Sequence, residues 1–188
     1  MKKNILVVDD SALMRRVECD IINSDNKFKV TDTCKDGLEA LEKLRTKKYD
    51  GVVLDINMPR MDGLELLQQL QKEKIKANIV MASTLTVEGA NEAIKSLELG
   101  AIDFVTKPSN IIEAKGDAFK KALLDVLYAA TKARVHFKKP SLVVAADKTA
   151  AASVNRLKKP GQNKIIAIAS ATGGPKALQS VIPKIPAD

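Results

Sequence analysis

The chain of 188 residues is 45% apolar, enough for one full core and part of another. It has no apolar run of membrane-spanning length and no charged-then-apolar leader, so a soluble cytoplasmic protein is expected. A net charge of +8 would suit nucleic acid if it covered a folded face. Residues 131–164, however, hold nine Lys/Arg against one acid, Asp147, while residues 1–130 hold 20 basic and 21 acidic residues. The excess belongs to one segment, which suits a solvated linker or an electrostatic docking arm, and no nucleic-acid partner is expected. Cys19 and Cys34 lack metal-ligand spacing and read as buried or idle thiols.

Residues 1–128 alternate strand and helix patterns five times, the sequence form of a doubly wound parallel sheet. The first strand spans about 4–8, an apolar run that ends in Asp9-Asp10. A helix follows from near Ser11, a good N-cap residue, with Leu13, Met14, Val17 and Ile21 at core spacing. Residues 28–33 alternate and suit an edge strand. Asp36-Gly37 opens a helix with Leu38, Leu41 and Leu44 inward. The third strand is 51–54 and ends in Asp55; after the loop 56–59, Met61-Asp62-Gly63 turns into a helix carrying Leu64, Leu67 and Leu70. The fourth strand, 79–82, ends in Ser83-Thr84. A helix at about 87–98 is closed by Gly100, and the fifth strand, 101–105, leads into Thr106-Lys107-Pro108. The last helix begins near Ser109 or Asn110 and runs to about 132, with Gly116 as an interior weak spot costing roughly 1 kcal/mol relative to Ala.

Beyond this first unit, 1–130, residues 131–163 lose all periodicity and read as a basic flexible linker. From Lys164 a new unit starts: a buried strand at 165–169, a glycine turn at Thr172-Gly173-Gly174, and a helix opened by Pro175. One strand and one helix cannot bury their own apolar faces, so 164–188 is the incomplete edge of a second α/β domain.

Right-handed βαβ connections bring the carboxyl ends of strands one, three, four and five to one sheet edge, where open α/β sheets keep their ligands. Those ends carry Asp9, Asp10, Asp55, Ser83 and Lys107. Crowded carboxylates repel each other and lose solvation, which favours their protonated forms, and a hard cation such as Mg2+ relieves both effects. A carboxylate beside a cation can attack phosphorus, and phosphoryl transfer rests on positioning and charge stabilisation, which a lysine and a hydroxyl supply.

The blocks Val7-Val8-Asp9-Asp10, Leu54-Asp55-Ile56-Asn57-Met58-Pro59, Met61-Asp62-Gly63, Ala82-Ser83-Thr84 and Val105-Thr106-Lys107-Pro108 occur in order. Over about residues 1–128 the sequence thereby resembles the response-regulator receiver family, a five-stranded flavodoxin-like fold of two-component phosphorelays. The resemblance implies that Asp55 accepts a phosphoryl group from a histidine kinase, making the chain a phosphoprotein. It implies Mg2+ held by Asp10, Asp55 and the Asn57 backbone carbonyl, with Asp9 helping through water, and an acyl phosphate sensed by Ser83 and Lys107. Phe104 matches the family's switch aromatic, although ordinary core filling also suits it. Thr84 replaces a smaller residue common in receivers and would slow dephosphorylation.

The block 166–178 resembles the start of the catalytic domain of chemotaxis protein-glutamate methylesterases, which follows a receiver and a linker. That resemblance implies hydrolysis of glutamyl methyl esters on chemotaxis receptors, and glutamine deamidation, released when phosphorylation loosens the receiver from the esterase site. The family loop reads Ser-Thr-Gly-Gly-Pro, with the serine as nucleophile. Alignment on Thr172, Gly173 and Gly174 puts Ala171 at that position. Ser170 is one place early and points to the other strand face. The family also needs a downstream His and Asp, whereas the sole histidine, His136, lies in the linker. This chain is therefore expected to be inactive as an esterase. A stand-alone receiver acting as a phosphoryl sink is the alternative. A helix-turn-helix regulator lacks its two patterned helices, and a flavin or nucleotide binder lacks the glycine loop after strand one.

Overall fold

The computed structural model describes residues 1–84 and 87–132, the side chains of 84–90 excepted. Five strands alternate with helices: β1 Lys3–Val8, α1 Ala12–Ser24, β2 Phe28–Cys34, α2 Gly37–Thr46, β3 Gly51–Asp55, α3 Gly63–Glu73, β4 Ile79–Thr84, α4 Val87–Glu98, β5 Asp103–Lys107, α5 Ile111–Ala114 and α6 Asp117–Ala130. The sheet order is β2-β1-β3-β4-β5, with every neighbouring pair parallel. This is the doubly wound α/β fold expected from the sequence, and β2 is an edge strand as its alternation predicts. The linker and the unit at 164–188, with Ala171 and the Thr172-Gly173-Gly174 turn, lie outside the described residues.

Strand alternation divides the core in two. Leu6, Val8, Val52, Leu54, Ile79 and Met81 face the leucines of α2 and α3. Ile5, Val7, Val53, Val80, Ala82 and Val105 face Val17 and Ile22 of α1 and Phe119, Leu123 and Leu127 of α6. Burial of the central strands on both faces is what their uninterrupted Val/Ile/Leu runs require.

Caps set the helix starts. The Ser11 hydroxyl accepts from Met14 N (3.3 Å), and the Asp36 carboxylate from Glu39 N (3.0 Å). Asp62 and Glu65 form a reciprocal capping box at α3, which satisfies two of the otherwise orphaned amides. Opposite the carboxyl edge, the end of α6 is fastened to the start of the sheet. Lys3 Nζ donates to Thr131 O (2.9 Å), and Tyr128 Oη to the Asp25 carboxylate (3.0 Å).

Four expectations are corrected. In α1, Leu13 is 56% exposed while Glu18 and Ile22 are fully buried, so the inward stripe is Val17-Glu18-Ile21-Ile22. In α2, Leu38 is outward and Ala40 takes its place beside Leu41 and Leu44. β5 starts two residues late, at Asp103. Gly100 adopts φ +100°, and Ala101 N donates back to Ser96 O (3.0 Å). Ala101 therefore serves the end of α4 as its cap and is not a strand residue. Finally, the last helix is broken: Gly116 is extended and is the N-cap of α6. The penalty of an interior glycine does not arise there, because glycine is accepted at an N-cap.

Candidate functional site

The acidic crevice follows from where the strands stop. β1 ends at Val8, and the next two residues turn off the sheet. Asp9 N donates to Cys34 O (3.2 Å), Ser11 N donates to Asp9 Oδ1 (2.8 Å), and Arg15 Nη1 donates to Asp9 O (2.6 Å). The corner is thereby pinned from β2 and α1. Asp9 is fully buried and Asp10 exposed. Asp55 closes β3, in register with Ala82, and its Oδ1 accepts from Ile56 N (2.8 Å). Gly63 permits this approach, since a Cβ there would run into the Asp55 carbonyl and the Met81 methyl. Ser83, nearly fully buried, pairs in register with Thr106.

Lys107 reaches across from β5. Its ammonium lies 2.9 Å from Asp55 Oδ1 and 2.6 Å from Asp9 Oδ2. Both contacts are charge-assisted, and the Lys107 ammonium bridges the two buried carboxylates. Burial pushes the Asp55 carboxyl up to about 6, only partly opposed by Lys107. Burial works against the charge of Lys107 itself, but Asp55 and Asp9 outweigh it and hold the ammonium above its ordinary range. One carboxylate oxygen from each of Asp9, Asp10 and Asp55 lies within 4.8 Å of the others. Three carboxylate oxygens converging at that spacing, two of them from buried residues, fit a small hard cation bound by oxygen. Asn57 is exposed on the β3–α3 loop, with its Nδ2 donating to Glu92 Oε2 at 3.4 Å.

The predicted residues Asp9, Asp10, Asp55 and Lys107 thus meet at one edge, with Ser83 on the adjoining strand end. Phe104 is 39% exposed, so core filling is excluded. Cys34 is buried and Cys19 half-buried, and burial raises both thiols to about 11; they are inert at neutral pH. Sequence reasoning missed Glu18. It is fully buried with both carboxylate oxygens lacking a hydrogen bond. Burial, then the charges of Asp9 and Asp55, hold it well above the usual carboxylate range against the pull of Lys107 and Arg15. Its place one residue after Val17, inside an i, i+4, i+5 apolar stripe, was the available signal.

A doubly wound parallel sheet carrying three acids and a buried lysine at the carboxyl edge defines a protein of the receiver type. The match to the response regulator receiver domain covers residues 5–115, and the chain belongs to that family. It is 39% identical, over 99% of its length, to protein-glutamate methylesterase/protein-glutamine glutaminase 1 of Syntrophomonas wolfei, of which it covers 52%. The chain thus spans about half the length of the curated relatives it matches. The response regulator domain of Thermotoga maritima CheB is 38% identical with a TM-score of 0.61, the similarity covering 71% of this chain and 99% of that one. A chain of the CheX–CheY–BeF3–Mg2+ complex of Borrelia burgdorferi is 29% identical with a TM-score of 0.56, over 68% and 87%. Among the described residues no helix is long and apolar enough to cross a membrane.

Proposed function

We propose that the chain is the phosphoryl-accepting regulatory part of a chemotaxis methylesterase, with Asp55 as acceptor. The observation that carries this reading is the position of Asp55. It is buried at a strand end, with one oxygen against a lysine ammonium and two further acids close by. Asp10, Asp55 and the Asn57 backbone carbonyl would hold Mg2+, with Asp9 supporting it through water. When bound, the ion offsets the charge of the incoming phosphoryl group and draws Asp55 into its ionised form. The ionised Asp55 oxygen forms a bond to phosphorus as the phosphorus–nitrogen bond of a kinase phosphohistidine breaks; the imidazole leaves and takes up a proton. Lys107 pairs with an equatorial phosphoryl oxygen and Ser83 donates to another. The link with chemotaxis rests on the methylesterases and the CheB domain that the chain resembles; Mg2+ is supported by the acid cluster and by the ion present in the CheY complex. Phe104, half-out on β5, is the residue through which the change would reach the surface formed by α4, β5 and the closing helices α5 and α6. In a protein of the relatives' full length, phosphorylation would free an esterase site acting on receptor glutamate methyl esters and glutamines. We place the domains at 1–130, 131–163 and 164–188.

A second reading, a phosphoryl-accepting switch without esterase activity, is favoured by Ala171, where the resembling loop has its serine. Incubation with a small-molecule phosphodonor and Mg2+, followed by intact mass, tests the first step. One added phosphoryl group, absent from Asp55→Asn and absent with EDTA, is expected. Labelling that persists in Asp55→Asn refutes the assignment. Methyl-ester release from receptors by the native product, compared with Ala171→Ser, separates the two readings.

A further inference from the structure

The β3–α3 loop, from Ile56 to Asp62, carries the backbone carbonyl assigned above to the metal, and Ile56 and Met58 anchor its first half in the core. At its far end Gly63 N donates to Ile56 O (2.8 Å), and Met61 O accepts from Gly37 N (3.0 Å). Between these lies Arg60, which has a left-handed backbone, φ +66°. A non-glycine residue in that region carries strain, so something else must hold it there. Its guanidinium forms a close ion pair with Asp36 Oδ2 and lies 3.4 Å from Glu39 Oε1. Asp36 is 1% exposed and divides its carboxylate between two duties: Oδ1 caps α2, and Oδ2 takes Arg60. The apposition is tight, because a Cβ on Gly37 would lie 2.6 Å from Met61 Cγ and 2.7 Å from Met61 O.

Asp36 follows Cys34 by two residues, and the Cys34 carbonyl accepts from Asp9 N. Two polar contacts joined by the backbone of residues 34–36 therefore link the acid corner at β1, through the end of β2 and the first turn of α2, to the loop after β3. These are the two walls between which the cation would sit. We propose that Arg60 and Asp36 act as a strut that fixes the separation of the Asp9–Asp10 corner from the Asn57 carbonyl, making them positioning residues for the divalent cation. The proposal rests on the metal assignment above. A carbonyl cannot adjust its charge or swing on a side-chain rotor, so its place in an octahedral shell depends on the backbone that carries it, and Mg2+ tolerates little departure from that shell. Outer partners of metal ligands commonly set affinity in this way.

The test is a Mg2+ titration of the whole chain, followed by calorimetry, for wild type, Arg60→Gly, Arg60→Ala and Arg60→Lys, with urea unfolding of each in EDTA. Arg60→Gly removes the guanidinium while accepting the positive φ, which separates the strut from backbone strain. Arg60→Gly and Arg60→Ala are expected to weaken Mg2+ binding about tenfold while remaining folded in EDTA, with lower unfolding midpoints because buried Asp36 loses its charged partner. Arg60→Lys keeps a single charged contact to Asp36 and is expected to fall between. Wild-type affinity in Arg60→Gly overturns the strut, and if Arg60→Ala alone binds weakly the effect belongs to backbone strain. If wild type itself takes no Mg2+, the metal assignment fails first, and that outcome is distinct from the others.

Discussion

The raised Asp55 carboxyl makes a measurable statement about stability. In the folded chain it titrates at about 6, against an ordinary value of 3.8. Between those values the folded state keeps a proton that the unfolded state has released. Stability therefore falls as pH rises through this window, and levels off above about pH 6. At 1.36 kcal/mol for each pKa unit, the whole effect is about 3 kcal/mol, of which about 2 kcal/mol is crossed between about pH 4.5 and pH 8. Urea unfolding in EDTA at several pH values, for wild type and Asp55→Asn, isolates the group. Loss of the Lys107 pairing in the variant adds an offset that does not depend on pH over this range. The wild-type stability minus that of Asp55→Asn is expected to drop by about 2 kcal/mol from pH 4.5 to pH 8. Saturating Mg2+ is expected to flatten the drop by favouring the carboxylate. A difference in EDTA that stays level across the range would refute the reasoning, and repetition in a Glu18→Gln background removes the share of the neighbouring acid.

Other outcomes follow from the packing. Glu18→Met fills the same buried space without two unsatisfied oxygens; it is expected to stabilise the domain by about 1–3 kcal/mol at pH 8, with the gain shrinking at low pH, where the unfolded chain's acid is protonated as well. An unchanged urea midpoint at pH 8 would count against this. Gly63→Ala forces a methyl against the Asp55 carbonyl and is expected to cost about 1–3 kcal/mol, read by thermal unfolding. Leu123→Ala, at a fully buried position of α6, is expected to cost about 2–5 kcal/mol. By contrast Leu13→Gln, on the exposed face of α1, should stay within about 0.5 kcal/mol in the same assay.

The strands and the acid corner were legible because their signals are local and redundant. Apolar runs such as Ile5–Val8 can only be buried on both faces, and each ends abruptly at Asp9 or Asp55. Helix phase was less legible. Leu13 and Leu38 fit an i, i+3, i+4 pattern as well as their neighbours do, and only the tilt of the helix on the sheet decides which side of the stripe is wetted. Glu18 was hidden for the opposite reason: a charged residue is assigned to solvent by default, and its burial is a property of the site as a whole. At β5, apolar Ala101 and Ile102 look like strand, but the left-handed Gly100 spends the first of them on ending α4. Lys107 was identified by its motif, whereas the ion pairs it forms with two acids come only from the closing of the sheet.

The tether of Thr131 to Lys3 has a geometric consequence. The sheet is parallel, so Lys3 marks the edge where strands begin, and the acid crevice marks the edge where they end. The chain leaves the domain at the pole furthest from Asp55. A strand of five residues at about 3.3 Å per residue puts roughly 17 Å between the two poles. Lys132 therefore does not stand beside Asp55. From Lys132 to the level of the crevice is a distance of about five or six extended residues, so a change at Asp55 reaches the end of α6 only through the flank of the domain.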